Sequence, residues 1–172
     1  MSELIRHPES KYINKNYNMT VIQKFMFPDK TPLHWHEYYE IELFLSGKGV
    51  SLMNGAEYPV ERGKLFFMTP IDIHCYTFTE TTEAINISFT AKVIEDMGIT
   101  EKLSVNSGAV ITLSDAETEW IFNMAKKIRE EASENEFMNK KYISQMMGCV
   151  LIEILRKAEK KRLRSFLGSF FC

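Results

Sequence analysis

Imidazoles and carboxylates at even spacing are the part of this chain with the clearest chemical consequence. In His34-Trp35-His36-Glu37-Tyr38-Tyr39-Glu40-Ile41-Glu42-Leu43-Phe44-Leu45-Ser46-Gly47, two histidines stand two apart and Glu40 lies four beyond the second. Side chains of an extended strand alternate with period two, so His34, His36 and Glu40 share one face if no bulge intervenes. Glu42 and Phe44 continue that face. His74 follows later in the chain, after Gly63 and Pro70. Neutral imidazole and carboxylate suit Zn²⁺, Fe²⁺, Mn²⁺ or Ni²⁺, which makes His34, His36, Glu40 and His74 a candidate three-nitrogen, one-oxygen metal set with open coordination positions. The same face could hold a small ligand or form a packed polar core. The residues by themselves leave all three open.

The elements that must position this face are short strands. Met19 to Phe27 is rich in β-branched and aromatic residues and reads as a strand, broken by Pro28-Asp29-Lys30-Thr31-Pro32. Gly47-Lys48-Gly49 turns into Val50–Met53. Asn54-Gly55 is a strong hairpin signal, because both residues tolerate the positive φ of a type I′ turn. Ala56–Val60, Lys64–Met68, His74–Phe78, Ala84–Phe89 and Val110–Leu113 complete the series. Turns at this spacing predict an antiparallel sandwich or barrel.

Around this β region lie other elements. Residues 1–18 lack periodicity and read as an N-terminal arm. Ala91–Met97 reads as a short helix ended by Gly98. Ser114-Asp115-Ala116-Glu117 has the form of a capping box, and Ile121, Met124, Ala125, Ile128 and Ala132 give its helix an apolar stripe. A second helix is predicted from about Met138 to Leu163, with an apolar stripe covering about half its circumference. Such a width fits a helix packed on both a partner helix and a sheet. It fits equally a helix that meets a second subunit through Met146, Cys149, Val150 and Ile154. The domain plan is therefore an arm over 1–18, a barrel over 19–113, a helical pair over 114–164 for dimerisation, and a tail over 165–172. The basic run Arg156–Arg164 suits a solvated helix C-terminus or a phosphate-binding patch, and the apolar Phe166-Leu167-Gly168-Ser169-Phe170-Phe171-Cys172 reads as a connection toward something further.

Composition narrows the class. The chain has 172 residues, 45% hydrophobic and 26% charged, with a formal net charge of -2, so nothing draws it as a whole to nucleic acid. No apolar run is long enough for a membrane span, and the polar N-terminus has no signal-peptide core. Cys75, Cys149 and Cys172 are odd in number and widely spaced, which reads as reduced thiols, two of them buried, in a cytoplasmic protein.

His34, His36, Glu40 and Gly47 resemble the first motif of the cupin family, and Gly63, Pro70 and His74 loosely resemble its second. Departures occur at Pro28, where the leading glycine would fall, at Asp72, and in the absence of an asparagine after His74. A closer resemblance covers most of the chain. HWHEYYEIELFLSGKGVSLMNGAEYPVERGKLFFMTPIDIHCY is similar to the N-terminal regulatory domain of AraC-type transcription regulators. That resemblance implies a mostly β fold with α, a cupin-like (double-stranded β-helix or jelly-roll) antiparallel barrel followed by two antiparallel helices. It also implies a non-catalytic domain that binds a small effector in the barrel, beneath an arm able to close over it, and forms a homodimer through the helices. DNA would be bound only through a C-terminal helix-turn-helix domain that these residues lack, which leaves a fragment and a stand-alone sensor as alternatives. The expected effector wall is His34, His36, Tyr38, Glu40, Glu42, Phe44, His74 and Tyr76, with Phe66 and Phe78 nearby. An acidic and aromatic lining favours a hydroxyl-rich ligand such as a carbohydrate, or a cation. No cofactor is expected on this reading. The alternative is a metal-dependent cupin enzyme of isomerase or dioxygenase type, using His34, His36, Glu40 and His74.

Overall fold

A computed structural model describes residues 4–100, 108–134 and 136–168, with backbone alone over 161–168. Among the described residues ten strands form two five-stranded sheets. One runs in the order β1 (Ile5–His7), β3 (His34–His36), β8 (His74–Phe78), β5 (Gly49–Met53), β6 (Ala56–Val60). The other runs β10 (Ala109–Thr112), β7 (Lys64–Met68), β4 (Tyr39–Ser46), β9 (Thr82–Phe89), β2 (Met19–Met26). Four helices accompany them among the described residues: α1 (Glu9–Tyr12), α2 (Ala91–Asp96), α3 (Asp115–Ser133) and α4 (Asn139–Gly168).

The turn chemistry is as the residues dictate. Asn54 and Gly55 have φ of 51° and 81°, the doubly positive pair of a type I′ hairpin, and they join β5 to β6 in register. Ser114 accepts a hydrogen bond from the backbone of Glu117, whose carboxylate accepts one from the backbone of Ser114. Losing such a cap costs about 1 kcal/mol. Ser114→Ala should therefore lower the melting temperature by roughly 3 °C in a calorimetric scan.

Strand β4 lies at the centre of its sheet, between β7 and β9. Ile41, Leu43 and Leu45 join the apolar core beneath α3 and α4, together with Leu65, Phe67, Ile85, Ile87, Ile121, Ile128, Met147, Val150 and Leu151. Phe44 belongs instead to a second cluster with Met53, Val60, Phe66, Met68, Tyr76, Phe78, Ala84 and Val110, which fills the space between the two sheets. Glu40 and Glu42 share that inner face by the period of the strand. Both faces of β4 are thus covered, one by the opposite sheet and one by helices.

The fold is cupin-like, mostly β with helices, and it differs from the sequence reading in three respects. The sheets face one another as a double layer with no ladder joining their edge strands among the described residues, instead of closing as a barrel. The arm contains structure, since β1 pairs in parallel with β3 through Ile5↔His34, Arg6↔Trp35 and His7↔His36. Helix α4 continues through residues 165–168 of the stretch read as a tail, because no residue before Gly168 interrupts a run of good helix formers. Cys172 lies outside the described residues. Cys75 is buried and Cys149 exposed, so one of the two buried thiols expected among the three is seen among the described residues.

Three of the four residues expected at a subunit interface are used up inside the monomer. Met146, Val150 and Ile154 are buried in the core shared by α3, α4 and the β4 sheet, where the wide apolar stripe packs on two neighbours at once. Of the four, only Cys149 faces outward, near the exposed Ile152.

Candidate functional site

The site lies at one end of the space between the sheets, where β3, β4 and β8 meet. His34 stands opposite His74 in the β3–β8 ladder. The rings of His34 and His74 are 4.2 Å apart by centroid, those of His36 and His74 5.0 Å, and those of His34 and His36 5.9 Å. One nitrogen from each can be chosen so that all three lie within 4.8 Å of one another. Residues 37 and 38 separate β3 from β4, yet Glu40 still reaches back to the cluster. Its Oε2 lies 2.5 Å from His36 Nε2 and 3.8 Å from His74 Nε2.

Backbone carbonyls hold two of the imidazoles. His34 Nδ1 is 2.9 Å from the Pro32 carbonyl, and His36 Nδ1 is 3.2 Å from that of Tyr38. A carbonyl accepts only, so Nδ1 of each ring carries the proton and Nε2 is turned inward. His36 Nε2 makes no aligned hydrogen bond despite its nearness to Glu40, and His74 Nδ1 is buried without a partner. A lone pair so close to a carboxylate oxygen is repulsive unless positive charge, a proton or a metal ion, lies between them.

That donor set answers whether a divalent ion fits. Three imidazoles, two oriented by second-sphere carbonyls, are a chemically suitable partial shell for Zn²⁺ or a similar ion. Glu40, expected as the fourth ligand, keeps Oε2 beside His36 Nε2, while its Oε1 is engaged by other side chains. Asn86 donates to Glu40 Oε1, Ser88 donates to Asn86 Oδ1 at 2.9 Å, and Lys24 Nζ lies 3.6 Å from Glu40 and 3.5 Å from Glu42.

The interior is therefore a charged network walled by aromatics. Burial pushes the Glu40 carboxyl up, but Lys24, His36 and His74 together outweigh it and hold it well below the usual range. Burial also raises Glu42, and there the nearby Glu40 adds to burial against Lys24. Lys24 itself is raised, because the two carboxylates overcome the cost of its burial. Burial pushes His74 down to about 3 and lowers His34 as well, so both are neutral at pH 7. Burial, then Glu42, raises the Tyr76 hydroxyl well above its ordinary range.

All eight residues expected in the effector wall lie in or beside this region. Glu40, Glu42, Phe44, His74 and Tyr76 are buried between the sheets; His36 and Tyr38 are buried as well, their rings stacking at 4.7 Å, and the half-buried His34 lies beside them at the mouth. Sequence reasoning missed Lys24, Asn86, Ser88 and Ser51, all on inward positions of β2, β9 and β5. It also missed His7, which the arm stacks on His34 at 4.6 Å and on Tyr12 at 4.9 Å. Glu37 fastens the arm by pairing with Arg6 and accepting from the Glu9 backbone at 3.1 Å.

A double β-layer with a buried polar site at its mouth, an arm across that mouth and a helical pair behind defines a small-molecule-binding domain. The profile of the family described as "AraC-like ligand binding domain" matches residues 22–136, and the chain belongs to that family. Among curated proteins, the HTH-type transcriptional activator RhaS of Yersinia pestis (strain Pestoides F) is 35% identical over 60 residues, covering 35% of this chain and 22% of that protein. Among solved structures, the AraC-like transcriptional activator CuxR aligns with a TM-score of 0.57 at 11% identity, over 84% of this chain and 53% of that one. Apo ToxT from Vibrio cholerae aligns with a TM-score of 0.63 at 6% identity, over 86% of this chain and 59% of that one. The chain thus spans little more than half the length of these structural relatives.

Proposed function

We propose that this chain is the effector-sensing and dimerisation part of a cytoplasmic AraC-type transcription regulator, without catalytic activity of its own. The observation that supports this most is the network of Lys24, Glu40, Glu42, Asn86 and Tyr76, charged and hydrogen-bonding groups set among aromatic rings. Its effector is a small hydrogen-bonding molecule, hydroxyl-rich like a carbohydrate or cationic, held against Phe44, Tyr76 and Tyr38. DNA is contacted only through an attached helix-turn-helix domain. A thermal-shift screen of small polar metabolites tests this. The expected binder raises the melting temperature and loses about tenfold in affinity on both Glu42→Gln and Tyr76→Phe, the worth of one hydrogen bond to a charged group. A binder indifferent to both substitutions would overturn the placement, and turnover of the binder would overturn the non-catalytic reading.

Dimerisation, on this reading, uses the outward face of α4. Ser144, Gln145, Gly148, Cys149 and Ile152 line a shallow groove of about 550 Å³ there, with Asp96, Met97 and Lys141. Ile152→Asp should give a folded monomer in sedimentation at tens of micromolar protein, where the unsubstituted chain is a dimer. A monomeric unsubstituted chain would remove the dimer.

The histidine triad favours a second reading for the mouth of the site. His34, His36 and His74 would hold a divalent transition-metal ion, which supplies Lewis acidity in enzymes and a cross-link between β3 and β8 in a sensor. Elemental analysis of tag-free protein decides: less than about a tenth of an equivalent of any transition metal sinks it.

A further inference from the structure

Two carboxylates in this interior are balanced by one lysine that does not belong to the buried core. Glu40 and Glu42 are 5% and 2% exposed, while the Lys24 side chain remains 35% exposed and hangs from β2, an edge strand. The ammonium lies 3.6 Å from one carboxylate and 3.5 Å from the other.

We propose that Lys24 is a built-in occupant of a cation subsite, and that the effector carries an amino group whose ammonium replaces it between Glu40 and Glu42. This rests on the effector-domain reading and narrows it to organic cations such as a polyhydroxylated amine. Any ligand that reaches these carboxylates must displace the Lys24 ammonium from them. A neutral polyol doing so would deprive two buried carboxylates of the Lys24 counter-charge that lies between them, which low-dielectric surroundings penalise severely. An ammonium replaces like with like, and the released lysine has only to turn the rest of the way into solvent.

Unsatisfied groups beside the carboxylates point to a ligand independently. Ser51 Oγ and His74 Nδ1 are fully buried and have no hydrogen-bond partner. Ser51 stands opposite Tyr76 in the β5–β8 ladder, on the inward side shared with Met53. His74 Nε2 lies 3.8 Å from Glu40. Such groups in a buried interior carry a penalty that a ligand with hydroxyls next to its ammonium would remove.

Chemical rescue tests the subsite without knowledge of the natural effector. Lys24→Ala should lower the melting temperature by roughly 5–10 °C, the breaking of a partly exposed but largely desolvated pair. Millimolar n-butylammonium should restore most of that loss saturably, and neutral n-butanol should not. Lys24→Ala combined with Glu42→Gln should lose the response. In the unsubstituted chain, glucosamine should move the Lys24 Cε resonance to that of a solvated lysine, with glucose leaving it in place. Should Lys24→Ala fail to fold, Lys24→Met and the resonance measurement carry the test. Equal rescue by butanol, or a Lys24 resonance that ignores both sugars, overturns the cation subsite. Neither result touches the effector-domain reading, which fails only in the metabolite screen.

Discussion

Between pH 6.5 and pH 4, the metal-free domain should lose on the order of 3 kcal/mol of stability, or roughly 10 °C in melting temperature, to His74 alone. Burial pushes this imidazole from 6.5 to about 3 in the folded chain. The unfolded chain therefore takes up its proton first as pH falls, so acid favours unfolding. The contribution is fully present above pH 6.5 and is lost progressively toward pH 3. His34 and His7 are lowered by burial as well and act with the same sign. Glu42 acts oppositely, because its raised folded pKa makes the native state the better proton binder above 4.5. Glu40 adds stability that disappears only below the ordinary carboxylate range, where it too protonates. The discriminating measurement is the slope of melting temperature against pH for the EDTA-treated chain and for His74→Gln. Most of the slope should vanish in the variant. Parallel slopes would mean that His74 is solvated in solution and that the mouth of the site is open.

Legibility divides along a physical line. Features set by a few neighbouring residues could be read from the chain: the type I′ turn at Asn54-Gly55, the capping box at Ser114, and the alternation that puts Glu40, Glu42 and Phe44 on one face. Features set by what a strand packs against could not. Ala84-Ile85-Asn86-Ile87-Ser88-Phe89 alternates as a strand with one wet face would, but here Asn86 and Ser88 point inward and bond Glu40 and one another. Lys24 sits in an apolar strand, and nothing in its neighbours along the chain announces two carboxylates from β4 as its partners. His7 reaches His34 only because β1 pairs in parallel with β3, a long-range pairing without a local signal. The stripe on α4 was legible as apolar, but its width reports two neighbours within the monomer, the sheet and α3. That left Cys149 and Ile152 to face outward.

The glycine that closes the central stretch illustrates the same division and carries the other large effect. Gly47 matches the family motif, but the reason a side chain is not accepted there lies in β9. Its φ is +91°, outside the regions open to an L-residue at low cost, and a Cβ would fall 2.2 Å from Thr82 Oγ1 and 2.5 Å from Thr82 Cα. Rotating the Thr82 side chain relieves only the first of these, because the second is backbone in the ladder beside β4. Left-handed strain costs about 1–2 kcal/mol and overpacking about 1–3 kcal/mol. Gly47→Ala should accordingly cost about 2–5 kcal/mol, on the order of 10 °C in melting temperature. Gly55→Ala is the matched control, since its φ is +81° and a Cβ there meets nothing within 4 Å. It should cost only the backbone share, about 1 kcal/mol. Urea denaturation of both variants separates the contributions. A cost for Gly47→Ala no larger than for Gly55→Ala would show that β9 yields at Thr82. In that event the close approach is not what excludes a side chain at Gly47, and the edge of the ligand-binding layer is softer than its packing implies.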